Sequence, residues 1–185
     1  MPQGKLLKRD FFERSVLEIC PELLGHFLVV RVDGNLRKLE IREIEAYDGP
    51  SDKACHAAKG RTPRTEVLFG PAACWYVYLC YGVHWLLNVV SGPIDYPAAI
   101  LIRGVGEHGG PGILTRELKI DNRFNTLKSS RETGLWMEKN PNRLSDYPFA
   151  TTPRIGVDYA DEWAEKPYRF ISIRSRWNEN GCLQM

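Results

Sequence analysis

Hydrophobic and polar positions alternate over several short stretches of this chain, and the pattern predicts a sheet built from hairpins. The apolar, β-branched residues 27–32 predict a strand, the Asp33-Gly34 pair is typical of a two-residue turn, and residues 36–47 predict the returning strand. A second hairpin rich in aromatic residues and two later strands are predicted over residues 75–81, 85–90, 99–105 and 168–173. The sheet is therefore expected to be mostly antiparallel, and the last of these strands is expected to close it.

Two helices are predicted beside these strands. Ser15 and Glu18 have the spacing of a capping box, and the apolar residues that follow predict a helix that ends at Gly25. Pro21 lies inside this helix and is expected to kink or split it. A proline after two glycines predicts a short second helix over residues 113–118. The predicted fold class is α+β, with a curved, mostly antiparallel sheet, a protruding aromatic β-hairpin and surrounding helices.

The length of 185 residues predicts a single domain, spanning residues 1–185, that is large enough to build its own core. Charged residues make up 26% and apolar residues 43%, with a mean hydropathy of −0.33, which is typical of a globular protein. Apolar runs stay shorter than the ~18 residues of a membrane-spanning helix, and no leader opens the chain. We expect a monomer without membrane contact that is cytoplasmic, nucleoid-associated in a bacterium or nuclear in a eukaryote.

Charge and cysteine content narrow the chemistry further. The formal net charge of +2 is too weak to identify a nucleic-acid-binding protein by itself. The five cysteines are odd in number and include no Cys-x-x-Cys pair, which indicates reduced thiols rather than disulfides. Cys74, Cys80 and His84 match no zinc spacing, so we predict neither a metal nor a cofactor.

The strand over residues 39–47 carries the first candidate for chemistry. Alternation places Glu43 and Glu45 on the same strand face as Leu39, Ile41 and Tyr47. A carboxylate in an apolar row is suited to acid–base catalysis, because burial disfavours its charge. The alternative is an edge-strand glutamate that faces water or pairs with a neighbouring arginine.

A group of aromatic and neutral polar residues surrounds this strand in the sequence, and it consists of Tyr47, His56, Tyr76, Tyr78, Tyr81 and Asn88. Such a set suits a planar heterocycle, because aromatic stacking contributes ~1 to 3 kcal/mol per base and the ring edges need few directed donors. The alternative is that these are ordinary half-buried packing residues of strands and loops.

Basic residues gather in two places, of which one comprises Lys59, Arg61 and Arg64, and the other Lys166, Arg169, Arg174 and Arg176. Either group could neutralise phosphates, and a solvated charged face is the alternative. Glycines at 109–112 could offer backbone N–H groups to an anion at a helix start.

Several motifs occur in order along most of the chain, from about residue 11 to 177. They are Glu-Ile-Glu-Ala-Tyr (43–47), Asp-x-Ala-x-His (52–56), Arg-Thr-Pro-Arg (61–64), Phe-Gly-Pro (69–71), Tyr-Val-Tyr-Leu-Cys-Tyr-Gly (76–82), Asn-Val (88–89), Gly-Pro-Gly-x-Leu-Thr (110–115), Arg-Ile-Gly-Val (154–157) and Glu-Trp-Ala-x-Lys-Pro (162–167). Together these motifs closely resemble the 3-methyladenine (alkyladenine) DNA glycosylase family. The segment 104–109 is shorter than its counterpart in the family.

The resemblance implies a monofunctional DNA glycosylase of base excision repair, which flips an alkylated or otherwise damaged purine from duplex DNA and hydrolyses its N-glycosidic bond. By matching position, Glu45 is the general base that activates water, and Arg103 and the backbone carbonyl of Ile155 hold that water. The partner is double-stranded DNA that contains damaged purines.

The resemblance also assigns the binding residues. Tyr47 and Tyr78 enclose the flipped base, His56 and the backbone of Ala54 bind its edge, and Asn88 discourages the exocyclic amine of guanine. The residues implied to contact DNA are Tyr81, as the wedge that fills the vacated stack, and Arg61, Arg64, Gly110 and Gly112. Two other functions stay open, namely a catalytically silent module that binds damaged DNA and a hydrolase of free nucleosides.

Overall fold

A curled antiparallel sheet forms the centre of the molecule in the computed structural model, which describes residues 4–173, 176–177 and 183–184. Nine strands of the described residues belong to this sheet: β1 (Phe27–Val32), β2 (Asn35–Asp48), β3 (Trp75–Cys80), β4 (His84–Ser91), β5 (Ala98–Val105), β6 (His108–Gly109), β7 (Leu135–Glu138), β8 (Phe149–Thr152) and β9 (Arg169–Ser172). Two further short strands pair with each other, β10 (Arg176–Trp177) and β11 (Leu183–Gln184).

The strand order is β3-β4-β5-β2-β1-β7, and every pairing is antiparallel. β2 is the longest strand and connects two parts of the sheet: its first half pairs with β1, and its second half pairs with β5 on one edge and β9 on the other. The strand predicted to close the sheet is β9. It lies inside the sheet instead, because β8 pairs with its far edge. The fold class predicted from the sequence is confirmed.

Short helices flank the sheet. The α-helices are α1 (Arg9–Phe12), α2 (Val16–Leu23) and α3 (Pro111–Glu117), and the 3₁₀ helices are His56–Lys59, Glu66–Phe69, Asn122–Phe124 and Asp158–Trp163. The predicted helix after Ser15 is confirmed, although the Ser15 side chain makes no capping hydrogen bond. The expected split at Pro21 is wrong, because α2 continues through it while its inner face packs into the core. No helix in the described ranges is long and apolar enough to cross a membrane.

An irregularity in β2 decides which residues face the core. The pairing of β2 with β5 shifts register between Ile41 and Ile44, as at a β-bulge. As a result Ile41, Ile44 and Ala46 all join the main hydrophobic core. The prediction that Ile41 shares a strand face with Glu45 is therefore wrong, because an extra residue reverses the alternation. Glu43 and Glu45 instead face the opposite side of the sheet, where the candidate site lies.

Candidate active site

A cavity of about 630 Å³ opens on the side of the sheet that carries Glu43 and Glu45. Its walls come from the loop after β2, the β3-β4 hairpin, the start of α3 and the loop before the last 3₁₀ helix. All five of the predicted aromatic residues line it together with a sixth that the sequence did not single out: Tyr47, His56, Tyr76, Tyr78, Tyr81 and Tyr159. The predicted cluster of rings is therefore brought together by the fold.

Glu45 lies directly behind the cavity wall and is completely buried. Three donors hold its carboxylate: the backbone N–H of Ile155 at 2.9 Å from Oε1, Arg103 Nη1 at 3.3 Å from the same oxygen, and the Tyr47 hydroxyl at 3.0 Å from Oε2. All three donor residues line the cavity. The site therefore supplies three hydrogen-bond donors, one of them a cation, to a carboxyl group that has no contact with solvent.

Arg103 extends this arrangement away from the cavity. Its Nε donates to Glu43 Oε1 at 3.0 Å, and Arg169 Nε donates to the same oxygen at 2.7 Å. Burial of Arg103 opposes its charge, but Glu45 and Glu43 outweigh this and raise the pKa of Arg103. The guanidinium therefore remains charged between two carboxylates, and Glu43 in turn forms ion pairs with both Arg103 and Arg169.

Tyr47 is fixed from behind by a buried ion pair. The guanidinium of Arg154 lies 4.8 Å from the centre of the Tyr47 ring, and its two Nη groups donate to both oxygens of Asp52 at 2.5 and 2.8 Å. Arg154 also donates to the backbone carbonyl of Ala46 on β2. Because Ile155 follows Arg154 directly, this pair also places the N–H that reaches Glu45. Burial and the neighbouring Glu45 raise the pKa of Tyr47, so its hydroxyl stays protonated.

His56 projects from the loop after β2, and its ring contacts that of Tyr78 with the centroids 4.6 Å apart. Its Nδ1 lies 2.9 Å from the hydroxyl of Tyr76, which also accepts a hydrogen bond from Nε of Arg64. Desolvation, followed by the charge of Arg64, lowers the pKa of His56 to about 4. The imidazole is therefore neutral at pH 7.

Ala54 and Asn88 occupy other parts of the cavity wall. The N–H of Ala54 donates to Asp52 Oδ1, so its carbonyl is the backbone group left for a ligand, and the Tyr159 hydroxyl lies 3.4 Å from it. Asn88 comes from β4 and is buried, with its Nδ2 donating to the carbonyl of Tyr76 at 3.1 Å. Both residues reach the cavity, as predicted.

Tyr81 stands at the tip of the β3-β4 hairpin with 94% of its surface exposed. Tyr81 and Gly82 have φ values of 49° and 71°, and the N–H of Val83 donates to the carbonyl of Cys80, which defines a type I′ turn. A large side chain rarely adopts a positive φ, and its complete exposure gives it no packing partner to explain the strain. Tyr81 also lines the mouth of the cavity.

The four residues predicted to contact DNA phosphates have different surroundings in the structure. Arg61 pairs with Glu66 and Asp95 and stacks on Phe69, so two carboxylates already neutralise it. Arg64 stacks on Tyr78 at 4.9 Å and has no carboxylate partner in the described part of the chain. Gly110 precedes α3 with a φ of 89°, and Gly112 packs so closely on His84 that an added Cβ would lie 2.9 Å from its ring. Both glycines line the cavity mouth.

The second basic group does not form one surface. Arg169 is engaged with Glu43, and Lys166 lies 4.3 Å from the ring centre of Trp163. Arg174 lies outside the described residues, as does Cys182, and only the backbone of Arg176 is described. Among the residues described, no three side chains of His, Cys, Asp and Glu come together to hold a metal, and the absence of metal and cofactor stays a prediction.

Sequence reasoning missed the Arg154–Asp52 pair and Tyr159. Both members of the pair lie within the motifs quoted above. A buried Arg and a buried Asp are expected to pair, because an unpaired charge in the interior is strongly destabilising. That argument requires burial to be known, which periodicity in a loop does not reveal. Tyr159 lies two residues after the Arg-Ile-Gly-Val motif (154–157), and no hydrophobic periodicity or motif of its own marked it in the sequence.

The fold and the site together define a class of protein in which a curled antiparallel sheet carries an aromatic pocket in front of a buried carboxylate. A sequence model of the methylpurine-DNA glycosylase family matches residues 10–176. A protein of Legionella pneumophila (strain Corby) is 40% identical over 172 residues, which cover 89% of this chain and 92% of the relative. A Myxococcus xanthus (strain DK1622) protein is 41% identical over 172 residues, covering 88% of each chain.

A third relative, from Methanocella arvoryzae, is 39% identical over 190 residues, covering 92% of this chain and 94% of the relative. All three are named provisionally as 3-methyladenine DNA glycosylases. The chain described here belongs to the methylpurine-DNA glycosylase family.

Proposed function

We propose that this protein is a monofunctional DNA glycosylase that flips a damaged purine out of duplex DNA into the aromatic cavity and hydrolyses its N-glycosidic bond. The observation that carries the proposal is the completely buried carboxylate of Glu45, held by three donors behind a cavity walled with tyrosines. Its membership of the family supports the same reaction.

The chemistry requires an ionised carboxylate next to the sugar. Glu45 accepts a proton from water as the water oxygen attacks C1′, and the electron pair of the breaking bond leaves with the purine. An alkylated purine that already carries a positive charge departs neutral, so it needs little protonation. The carboxylate charge also stabilises the oxocarbenium-like transition state. Lysine is absent from the cavity lining in the described residues, which agrees with direct attack by water rather than by an amine.

Glu45 is completely buried, so water reaches it only when a neighbouring group of the cavity wall moves. We assign the positioning of this water to Arg103 and to the carbonyl of Ile155, whose N–H already contacts Glu45. Among the described residues, Oε2 accepts a hydrogen bond from the Tyr47 hydroxyl alone, so this oxygen keeps an acceptor site for the attacking water.

The base is held by stacking and by two directed hydrogen bonds. Tyr47 and Tyr78 provide the faces, and the carbonyl of Ala54 accepts from the base edge. Because the Tyr76 hydroxyl already accepts a hydrogen bond from Arg64, we assign the tautomer of neutral His56 in which Nδ1 accepts from that hydroxyl and Nε2 carries the proton that it donates to the base. Asn88 limits the space beside the base edge. A cationic lesion is bound more tightly than a neutral base, because aromatic faces attract positive charge.

The DNA backbone and stack are contacted at the cavity mouth. Tyr81 enters the space left by the flipped nucleotide, and Arg64 supplies a charge that no carboxylate neutralises in the described residues. Arg61, Gly110 and Gly112 are assigned weaker contacts with the phosphates. The exposed hairpin favours duplex DNA over a free nucleoside as substrate, because a free nucleoside has no base stack for Tyr81 to enter.

The decisive experiment incubates the protein with duplexes that each contain one modified purine, followed by alkaline cleavage at abasic sites. We expect excision under enzyme excess, and we expect Glu45→Gln to lower the single-turnover rate by ~10² to 10⁴-fold with little change in lesion affinity, because only the charge is removed. Binding without base release would establish the silent module instead. Release from free nucleosides but not from duplexes would establish the nucleoside hydrolase.

A matched control is Glu138→Gln, which replaces another buried glutamate held by two cations, Lys38 and Arg131, on β7. Glu43→Gln is unsuitable as a control, because Glu43 shares Arg103 with Glu45. If Glu45→Gln excises within a few-fold of the parent protein, Glu45 is not the base.

A further inference from the structure

Two carboxylates and two guanidinium groups form one continuous chain beneath the cavity. Glu45 contacts Arg103 Nη1 at 3.3 Å, Arg103 Nε donates to Glu43 Oε1 at 3.0 Å, and Arg169 Nε donates to that same oxygen at 2.7 Å. The first three side chains are almost fully buried, and Arg169 at the far end is 23% exposed. The members come from β2, β5 and β9, so the chain crosses three adjacent strands.

The charges alternate along this chain, and their sum is zero. Other polar groups that face Glu45 leave this balance unchanged: the Tyr47 hydroxyl is neutral, and Arg154 is paired with Asp52 in a bidentate ion pair. A buried charge interacts strongly with its neighbours, because little solvent screens it. The charge balance at Glu45 therefore depends on Glu43 and Arg169, although neither residue lines the cavity itself.

Arg103 has two acceptors, and the position of its guanidinium depends on both. Glu43 Oε1 is shared between Arg103 and Arg169, which leaves Nη1 of Arg103 directed at Glu45. Without Arg169, all the hydrogen-bonding capacity of that oxygen is available to Arg103. Without the charge of Glu43, Arg103 has a weaker anchor and acts on Glu45 with an uncompensated positive charge.

We propose that Glu43 and Arg169 are positioning residues, which act through Arg103 to fix both the geometry and the charge state of Glu45. The inference rests on the proposed function, in which Glu45 is the general base. It assigns a part in the reaction to two side chains that contact neither the lesion nor the attacking water.

The proposal predicts opposite effects for removal of the positive charge of Arg169 and removal of the negative charge of Glu43. Arg169→Met changes the net charge of the group from zero to −1, so Glu45 binds a proton more readily and the acid limb of the excision rate moves to higher pH. Glu43→Gln changes it to +1, and the acid limb moves to lower pH. Each variant should shift the acid limb by about one pH unit, which is the order of magnitude expected when one charge is removed from a partly screened interior.

The experiment measures single-turnover excision between pH 5 and pH 8 on the duplex that the parent protein cleaves best. The rate of Arg169→Met divided by that of Glu43→Gln should fall about tenfold from pH 8 to pH 5. The double variant Glu43→Gln/Arg169→Met restores neutrality and should return the acid limb towards that of the parent. A role limited to folding stability would lower rates without opposite shifts.

Two controls separate the possible failures. Arg169→Lys keeps the charge and should keep the profile close to that of the parent protein, and thermal unfolding of each variant verifies that it is folded. Glu138→Gln disturbs a comparable buried glutamate on β7, whose ion pairs are with Lys38 and Arg131 rather than with Arg103, and should leave the profile unmoved. A rate ratio that stays constant across the pH range overturns the inference while the proposed function stands. A parent protein that excises no base overturns both.

Discussion

Asn88 shows how a single buried side chain can have a defined orientation in the cavity wall. Its Nδ2 lies 3.1 Å from the carbonyl of Tyr76 and 3.5 Å from that of Leu86, and both neighbours are acceptors. The amide nitrogen must therefore face these strands, which fixes the position of Oδ1 on the opposite side of the amide. A rigid group of this kind can exclude a substituent that a flexible one would accommodate.

We expect Asn88→Ala to increase excision of guanine lesions relative to adenine lesions, because it removes the side chain that we propose crowds the exocyclic amine of guanine. The change should be about tenfold or more in the ratio of the two single-turnover rates, since a buried steric conflict is commonly worth 1 to 3 kcal/mol, or roughly 10 to 200-fold. Asn88→Asp is the matched variant, because it keeps the size of the side chain. A fall in guanine excision by Asn88→Ala would mean that Oδ1 attracts the amine instead.

The elements of the sheet were predictable where their signals are local. The β1-β2 hairpin follows from a turn sequence in which Asp33 and Gly34 both adopt positive φ, and its strands form nearly where expected. The bulge near Glu43 was not predictable, because an extra residue leaves no mark in a two-residue alternation. Burial of Glu45 was one of two interpretations that the pattern left open; of the neighbours assigned to its face, Ile41 lies in the core on the other side, whereas Tyr47 does contact Glu45.

The partners of Glu45 illustrate the limit of sequence reasoning. Ile155 lies 110 positions away in the chain, and the Arg169 that supports Arg103 lies beyond it, next to β8, which was not predicted at all. Periodicity describes neighbours in sequence, whereas this site depends on strand pairings between distant segments. The family resemblance predicted that Arg103 and Ile155 act beside Glu45. The contact between Arg169 and Glu43 follows only from the pairing of β9 with β2 in the structure.

The β3-β4 hairpin supports a prediction that separates binding from folding. Asn-Gly is the most favoured dipeptide in a type I′ turn, whereas the present Tyr81-Gly82 pair places an aromatic residue at positive φ. Tyr81→Asn should therefore stabilise the protein by up to about 1 kcal/mol, because it relieves backbone strain. The same variant should weaken binding of a lesion duplex by ~10-fold or more, because the wedge that offsets unstacking is lost.

Thermal unfolding and a fluorescence titration with a lesion duplex measure the two effects. Val83→Ser is the control, since Val83 is exposed at the same hairpin tip but is not proposed to enter the stack. Loss of stability in Tyr81→Asn with unchanged affinity would assign the ring to packing and refute the wedge.

At the scale of the whole molecule, stability should decrease in mildly acidic solution. Desolvation, followed by nearby positive charges, lowers the pKa of His26 to about 4, and its Nδ1 accepts a hydrogen bond from the N–H of Asn140. The unfolded chain binds a proton near pH 6.5, whereas the folded protein resists doing so until about pH 4. The free energy of unfolding should therefore fall as the pH drops through this interval.

Partial exposure of the His26 ring reduces the effect to about 1 kcal/mol at pH 5. Urea unfolding at pH 7 and pH 5 measures it, and His26→Gln should lose part of the pH dependence, because Gln cannot take up the proton. An equal pH dependence in the variant would place the titration elsewhere in the molecule.

DNA binding should depend only modestly on salt, because the charge of the whole molecule is small and many cations are already paired. The formal net charge is +2, and Arg61, Arg103, Arg154 and Arg169 all contact carboxylates. Arg64 lines the cavity, the exposed Lys59 ends the 3₁₀ helix that begins at His56, and neither has an ion pair in the described residues. With two or three phosphates neutralised at ~0.9 counterions each, the slope of log K against log salt should be about −2 to −3.

The two arginines of the loop after β2 provide the sharper comparison. Arg64→Gln should reduce the magnitude of the slope by about 1, because it removes a cation that is free to release a counterion. Arg61→Gln should change it much less, because Glu66 and Asp95 already compete for that guanidinium. Equilibrium titrations from 50 to 200 mM salt would show the difference. Equal slopes for both variants and the parent protein would place the phosphate contacts on another surface, and a flat salt dependence in the parent would remove duplex DNA as the substrate.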